Sequence, residues 1–223
     1  MRFNSSSIRR IGLTKKAGLS VAAVAVILPM AACSSSDDNA STQKPSPVAQ
    51  IDQLTGKSTA VLLDAGFADA LKSLKVTPGV VGDATLADGS VSFPITGGNV
   101  TYYKPGSVSP YVQGIVEHDG SGLSLSAGGT EVDLTDFAID PGTSKLYGDV
   151  SVNGKSAATH AFIFQLDGRT LKPLQTEGDT AILEGTKVEV SPDAAKLLND
   201  TFKTDGVTEG LLVGTAKITI NTK

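Results

Sequence analysis

The chain has 223 residues, with 19 Lys and Arg against 23 Asp and Glu and a formal net charge of −4. Five of the basic residues and none of the acids fall within residues 1–32, so the remainder carries 14 basic against 23 acidic side chains, a net charge of −9. That balance excludes nucleic-acid binding built on neutralised phosphates, and a single Cys excludes an internal disulfide.

Residues 1–16 hold Arg2, Arg9, Arg10, Lys15 and Lys16 and no acid. Residues 17–28 are apolar, and at about a dozen residues they are too short to cross a hydrocarbon core, which needs roughly 20. A basic segment followed by a short apolar one reads as a secretory signal. It ends in Leu28-Pro29-Met30-Ala31-Ala32-Cys33. This ending resembles the bacterial lipobox, an aliphatic residue and two small ones ahead of an obligatory Cys. The resemblance implies diacylglyceryl transfer to the Cys33 thiol, cleavage after Ala32 and N-acylation, for example by palmitate. Residues 1–32 are therefore expected to be a lipoprotein signal peptide. Lipid on Cys33 is expected to anchor the chain to the extracytoplasmic side of the cell membrane. Each buried CH₂ contributes about 0.8 kcal/mol, so two or three acyl chains hold a protein there stably. The context of Arg9-Arg10 departs from the twin-arginine motif, which favours the general secretory route. Residues 33–50 are rich in Ser, Asp and Pro with no aromatic side chain, the composition of a disordered tether.

Residues 51–223 are expected to form one β-rich domain with an aliphatic core, since Trp is absent. A strand at 60–63 leads to Asp64, which can cap a helix over 65–75 with Phe67, Ala68, Leu71 and Leu74 on one face. Polar and apolar residues alternate at 90–95, 112–116, 123–125, 132–134 and 188–190, the pattern of half-buried strands. Residues 161–166 are more continuously apolar and read as a central strand. Asn153-Gly154 is a strong type I′ hairpin signal. Gly97-Gly98, Asp119-Gly120, Gly128-Gly129 and Asp167-Gly168 read as further turns. Ser191 can cap a second helix, with Pro192 at its first position and Ala195, Leu198 and Phe202 facing inward. The fold expected is mainly β (α+β), an antiparallel β-sandwich or barrel with two short helices. Residues 60–86 and 188–218 both run strand, cap, helix, strand, and are read as a duplicated unit.

The stretch 89–152 contains Gly114-Ile115-Val116-Glu117-His118-Asp119-Gly120, then Gly122-Leu123-Ser124-Leu125, then Leu146-Tyr147-Gly148-Asp149-Val150. With the Ser-Pro-Asp-Ala-Ala segment at 191–195, it resembles the HtaA-type domains of actinobacterial surface proteins. Those domains are β-rich and bind haem. The resemblance places His118 on the family histidine that supports a haem-contacting Tyr. The family's Trp-containing motif with its ligand Tyr has no counterpart, which leaves Tyr102, Tyr103 and Tyr111 as nearby candidates.

Other chemistry is sparse. His118 and His160 form no zinc-binding pair. His118 beside Asp119-Gly120 reads most simply as a turn-flanking surface residue, and as a ligand in the resemblance. His160 reads as a strand-end residue. Neither a Gly-x-Ser-x-Gly elbow nor a Ser-x-x-Lys set is present. Asp133, Asp136 and Asp140 follow no calcium-loop pattern and read as a solvated acidic face. The preferred reading is a non-enzymatic, lipid-anchored binding module of the bacterial envelope. Its partners would be the membrane, through Cys33, and a small ligand such as haem or another envelope protein. The alternatives are an exported glycan hydrolase using acids such as Asp133 or Asp136, and a structural lipoprotein without a ligand.

Overall fold

A computed structural model describes residues 44–223. The expectations for the signal peptide, for Cys33 and for most of the tether lie outside them. In chain order the elements are β1 (Ala49–Ile51), β2 (Lys57–Leu63), α1 (Ala65–Ser73), β3 (Thr77–Gly82), β4 (Thr85–Ala87), β5 (Ser90–Pro94), β6 (Gly97–Tyr102) and β7 (Val112–Ala127). There follow β8 (Thr130–Asp140), β9 (Lys145–Val152), β10 (Lys155–Asp167), a 3₁₀ turn (Gly168–Thr170), β11 (Gln175–Glu177), β12 (Thr180–Val190), α2 (Pro192–Phe202) and β13 (Leu212–Asn221). The domain edge expected at Ile51 lies inside β1, because Val48 and β1 already pair with Tyr102 and β6.

Both helices start at their capping residues. Asp64 accepts from the Gly66 N–H at 2.8 Å. The Ser191 hydroxyl accepts from the Ala194 N–H at 3.0 Å and donates to the Phe162 carbonyl at 2.6 Å, with Pro192 opening α2. Each cap satisfies one of the orphan donors of the first turn. Asn153 and Gly154, with φ of 50° and 71°, join β9 to β10 as their type I′ signal predicts.

The strands form one antiparallel sheet in the order β1-β6-β7-β8-β9-β10-β12-β13-β2-β5-β4, with β3 on β7 and β11 on β12. It curls into a half-barrel, the open form of the sandwich or barrel expected from the strand spacing. The concave face carries the core, where Val132, Val150 and Ile163 are fully buried. Both helices cover one end of that face: Phe67 and Leu71 of α1 and Leu198 and Phe202 of α2 line one apolar cavity with Leu123 and Leu125 of β7.

Three readings are corrected. Asp119-Gly120 does not reverse the chain. It is a bulge inside one 16-residue strand, with β7 paired to β8 on both sides and the register shifting between His118 and Gly122. Gly97-Gly98 is likewise the start of β6 and not a turn. The duplicated unit stops at the helix. β13 returns from α2 to pair with β12, the strand before that helix, whereas the closing strand of the first unit is β4, which pairs with β5 and not with β2.

Candidate functional site

Bulges decide which side chains face inward. An extra residue shifts the two-residue periodicity of a strand by one. On β7 the inward positions are Val112, Val116 and His118 before the bulge, and Leu123 and Leu125 after it. On β8 they are Val132 and Leu134, then Phe137 and Ile139. The two bulges lie side by side, tied by the Gly120 N–H donating to Asp136 Oδ1 at 2.8 Å. Asp136 is exposed, with a φ of 53°. On β12, Ala181 and Leu183 face in before the shift at Gly185, and Thr186 and Val188 after it.

This geometry turns His118 into the core. It is 1 % exposed, so the surface reading is wrong: a bulge at Asp119-Gly120 keeps the strand running and leaves His118 facing in. Its ring stands edge-on to Phe93, with centroids 6.3 Å apart. Nδ1 lies 3.2 Å from the Phe137 carbonyl oxygen, and Nε2 lies 2.8 Å from Thr59 Oγ1. A carbonyl only accepts, so Nδ1 carries the proton. In the neutral ring Nε2 then accepts from the Thr59 hydroxyl. Burial pushes the pKa of His118 down to about 4, against the opposing pull of the Phe137 carbonyl and of Asp119. The bond to Thr59 joins β7 to β2 through the interior, six places apart in the strand order.

Thr59 also lines the main opening in the fold. A trough of about 580 Å³ lies on the concave face, beyond the helix-covered end. Its walls include Leu146, Leu166, Leu183, Val188, Ala216 and Ile218, drawn from β9, β10, β12 and β13. Its polar side chains include Ser109, Tyr111, Gln165, Asp167, Arg169 and Glu189. Asp167 and Arg169 form a two-point ion pair at 2.9 and 3.1 Å, which holds the Asp167 carboxyl below its ordinary range. A second chamber of about 250 Å³ adjoins it, sharing Val112, Pro141, Leu183 and Ile218. Together they are of the size and apolar character of small-molecule sites, which run about 300–1,000 Å³.

The tyrosine candidates sit apart from His118. Tyr102 is buried and edge-on to Tyr111, with centroids 5.8 Å apart. Tyr111 lines the trough and Tyr102 the second chamber, while Tyr103 is half-buried and lines neither. Val112, next to Tyr111, is six residues from His118 along β7, on the order of 20 Å. Burial, and then Tyr102, push the Tyr111 phenol pKa upward.

Asp133 takes a hydrogen bond from Ser151, Asp136 from the Gly120 N–H, and Asp140 from Thr143. None of these three lines the trough, whose own carboxylates are Asp167, paired with Arg169, and Glu189, and Asp133 keeps its Oδ1 buried without a hydrogen-bond partner among the described residues. Among the described residues no group of three or more His, Cys, Asp or Glu is placed to hold a metal ion. His160 is exposed and stacked flat on Tyr147 at 4.4 Å. Sequence reasoning missed Thr59 and the trough walls, which come from strands far apart in the chain. The signal that could have located one wall was the interrupted alternation around Gly185.

The resemblance to HtaA-type domains implies haem on a Tyr supported by His118. The volume and apolar walls suit such a macrocycle, but the donors do not suit its iron. The partner of His118 is a Thr, no Tyr hydroxyl reaches its ring, and both ring nitrogens are engaged. Freeing the ring would strand buried polar groups at about 1–3 kcal/mol each.

No family model matches the chain, and no curated protein matches it in sequence. Its fold is similar to that of the C-terminal domain of HtaA from Corynebacterium glutamicum, at 14 % identity and a TM-score of 0.54, over 76 % of this chain and 98 % of that one. It is also similar to the N-terminal domain of HtaA from the same organism, at 11 % identity and a TM-score of 0.45, over 76 % and 98 % of the two chains. A third similar structure is the haem-binding protein HtaB of that organism, at 9 % identity and a TM-score of 0.44, over 78 % and 96 %.

Proposed function

We propose that this chain is a non-enzymatic binding protein, anchored outside the cytoplasm by lipid on Cys33, that holds a flat apolar ligand of the haem kind in its trough. The observation that carries the reading is the 580 Å³ trough on the concave face, walled by aliphatic side chains and edged by polar ones. The likeness to the HtaA C-terminal domain and the HtaA-type segment of the sequence support a tetrapyrrole as the ligand. The lipobox ending at Cys33 supports the anchor. The trough also argues against a ligand-free structural role, which needs no such space.

Titration of the purified full chain with haem, followed by absorbance, tests the ligand. Binding is expected in the wild type and to be about tenfold weaker or worse in Leu183→Arg, which puts a guanidinium between the two chambers. Circular dichroism checks that the variant keeps its β signal. An absent haem response in the wild type, or an unchanged one in a folded Leu183→Arg, overturns the assignment. Metabolic labelling with palmitate tests the anchor: label is expected in the wild type and not in Cys33→Ser.

A further inference from the structure

We propose that the trough holds its ligand without a protein–metal bond, so that iron-free porphyrin binds as firmly as haem. The proposal rests on the trough being the ligand site argued above, and it narrows the ligand class to tetrapyrroles regardless of metal.

Haem iron is held in proteins by His, Cys, Met or Tyr side chains. Neither Met nor the single Cys falls within the described residues. Of the two histidines, His160 is exposed and stacked on Tyr147, and it is not among the residues that line the trough. His118 lies behind Thr59 with Nδ1 donating to Phe137 and Nε2 accepting from Thr59, so neither nitrogen has a lone pair facing the trough. Thr59 presents an aliphatic alcohol at that wall, which is not among the iron-binding groups.

Tyrosine fares little better. Of the four in the chain, Tyr147 is on the opposite face, under His160, and Tyr103 lines neither chamber. Tyr102 is buried in the wall of the smaller chamber. Tyr111 alone lines the larger trough, with its ring set edge-on against Tyr102. Iron takes a tyrosine as the phenolate, and no imidazole stands beside the Tyr111 phenol to take its proton: its ring neighbour is a second phenol, and both nitrogens of His118 are engaged by Phe137 and Thr59. Arg169, also at the trough, is already committed to Asp167. What the trough does supply in quantity is aliphatic surface from Leu146, Leu166, Leu183, Val188 and Ile218, which cannot distinguish a metallated macrocycle from an empty one.

The test is a pair of equilibrium titrations of the full chain, one with haem and one with iron-free protoporphyrin IX, repeated with Tyr111→Phe. Dissociation constants that agree within about threefold, with a ferric absorption spectrum unchanged by Tyr111→Phe, are expected. Haem binding about tenfold or more tighter than iron-free porphyrin overturns the proposal. If that preference vanishes in Tyr111→Phe, the phenol is an iron ligand; if it persists, another group is. Binding of neither compound overturns this proposal together with the ligand reading beneath it, whereas a metal preference leaves that reading standing.

Discussion

Lowering the pH from 7 to 5 should destabilise this domain through one buried ring. Folded His118 has a pKa of about 4, against about 6.5 in the unfolded chain. Between those values the unfolded state binds a proton that the folded state refuses, so stability falls as pH falls. The loss begins near pH 6.5, reaches about 2 kcal/mol at pH 5 and about 3 kcal/mol at pH 4, and levels off below that. Against a typical domain stability of about 5–15 kcal/mol this is a large fraction. Urea unfolding at pH 7 and pH 5 measures it, followed by far-ultraviolet circular dichroism because the chain has no Trp. His118→Gln is the control: its amide can donate to the Phe137 carbonyl and accept from Thr59, and it does not titrate. The wild type should lose about 2 kcal/mol more than His118→Gln over that interval. The depressed carboxyls of Asp167, Glu184 and Asp200 lose their contribution only as pH falls through the carboxylate range, and alike in both proteins. Equal losses in the two proteins would refute the assignment of a buried neutral His118.

Further outcomes follow from the same geometry. Ser191→Ala should cost about 2 kcal/mol, because it strips the α2 cap and strands the Phe162 carbonyl, whereas Asp64→Ala at the more open cap of α1 should cost about 1 kcal/mol; midpoints of urea unfolding compare them. Gly185→Ala should destabilise by about 2 kcal/mol or more, since φ is +103° and a Cβ there would stand 2.6 Å from the Thr170 carbonyl oxygen. Gly120→Asn, with φ of +73° and open space around it, should cost under about 1 kcal/mol. Leu134→Ala should cost about 2–5 kcal/mol, since it empties a site that is 2 % exposed; thermal melting reads both this and the glycine pair.

Much of the local structure was legible in the sequence because its causes are local. Asp64 and Ser191-Pro192 start helices through hydrogen bonds that span two or three residues. Asn153-Gly154 makes its hairpin because those two residues tolerate positive φ. Strand alternation at 90–95, 132–134 and 188–190 marked faces correctly, since a pleat repeats every two residues. Asp119-Gly120 shows where that kind of reading stops. A flexible Asp-Gly pair permits either a reversal or a bulge, and the choice rests on whether the residues on both sides find the same partner strand. They do: β8 pairs with His118 and with Gly122 alike. That partner begins at Thr130, and nothing within the dipeptide encodes it. The burial of His118, its bond to Thr59 some 59 positions away and the assembly of the trough from well-separated strands all depend on such pairings. Composition and local pattern determined that this chain makes alternating strands, two capped helices and an aliphatic core. Only the curl of the sheet decided which of its few polar side chains were turned inward, because a contact between distant strands has no local signature.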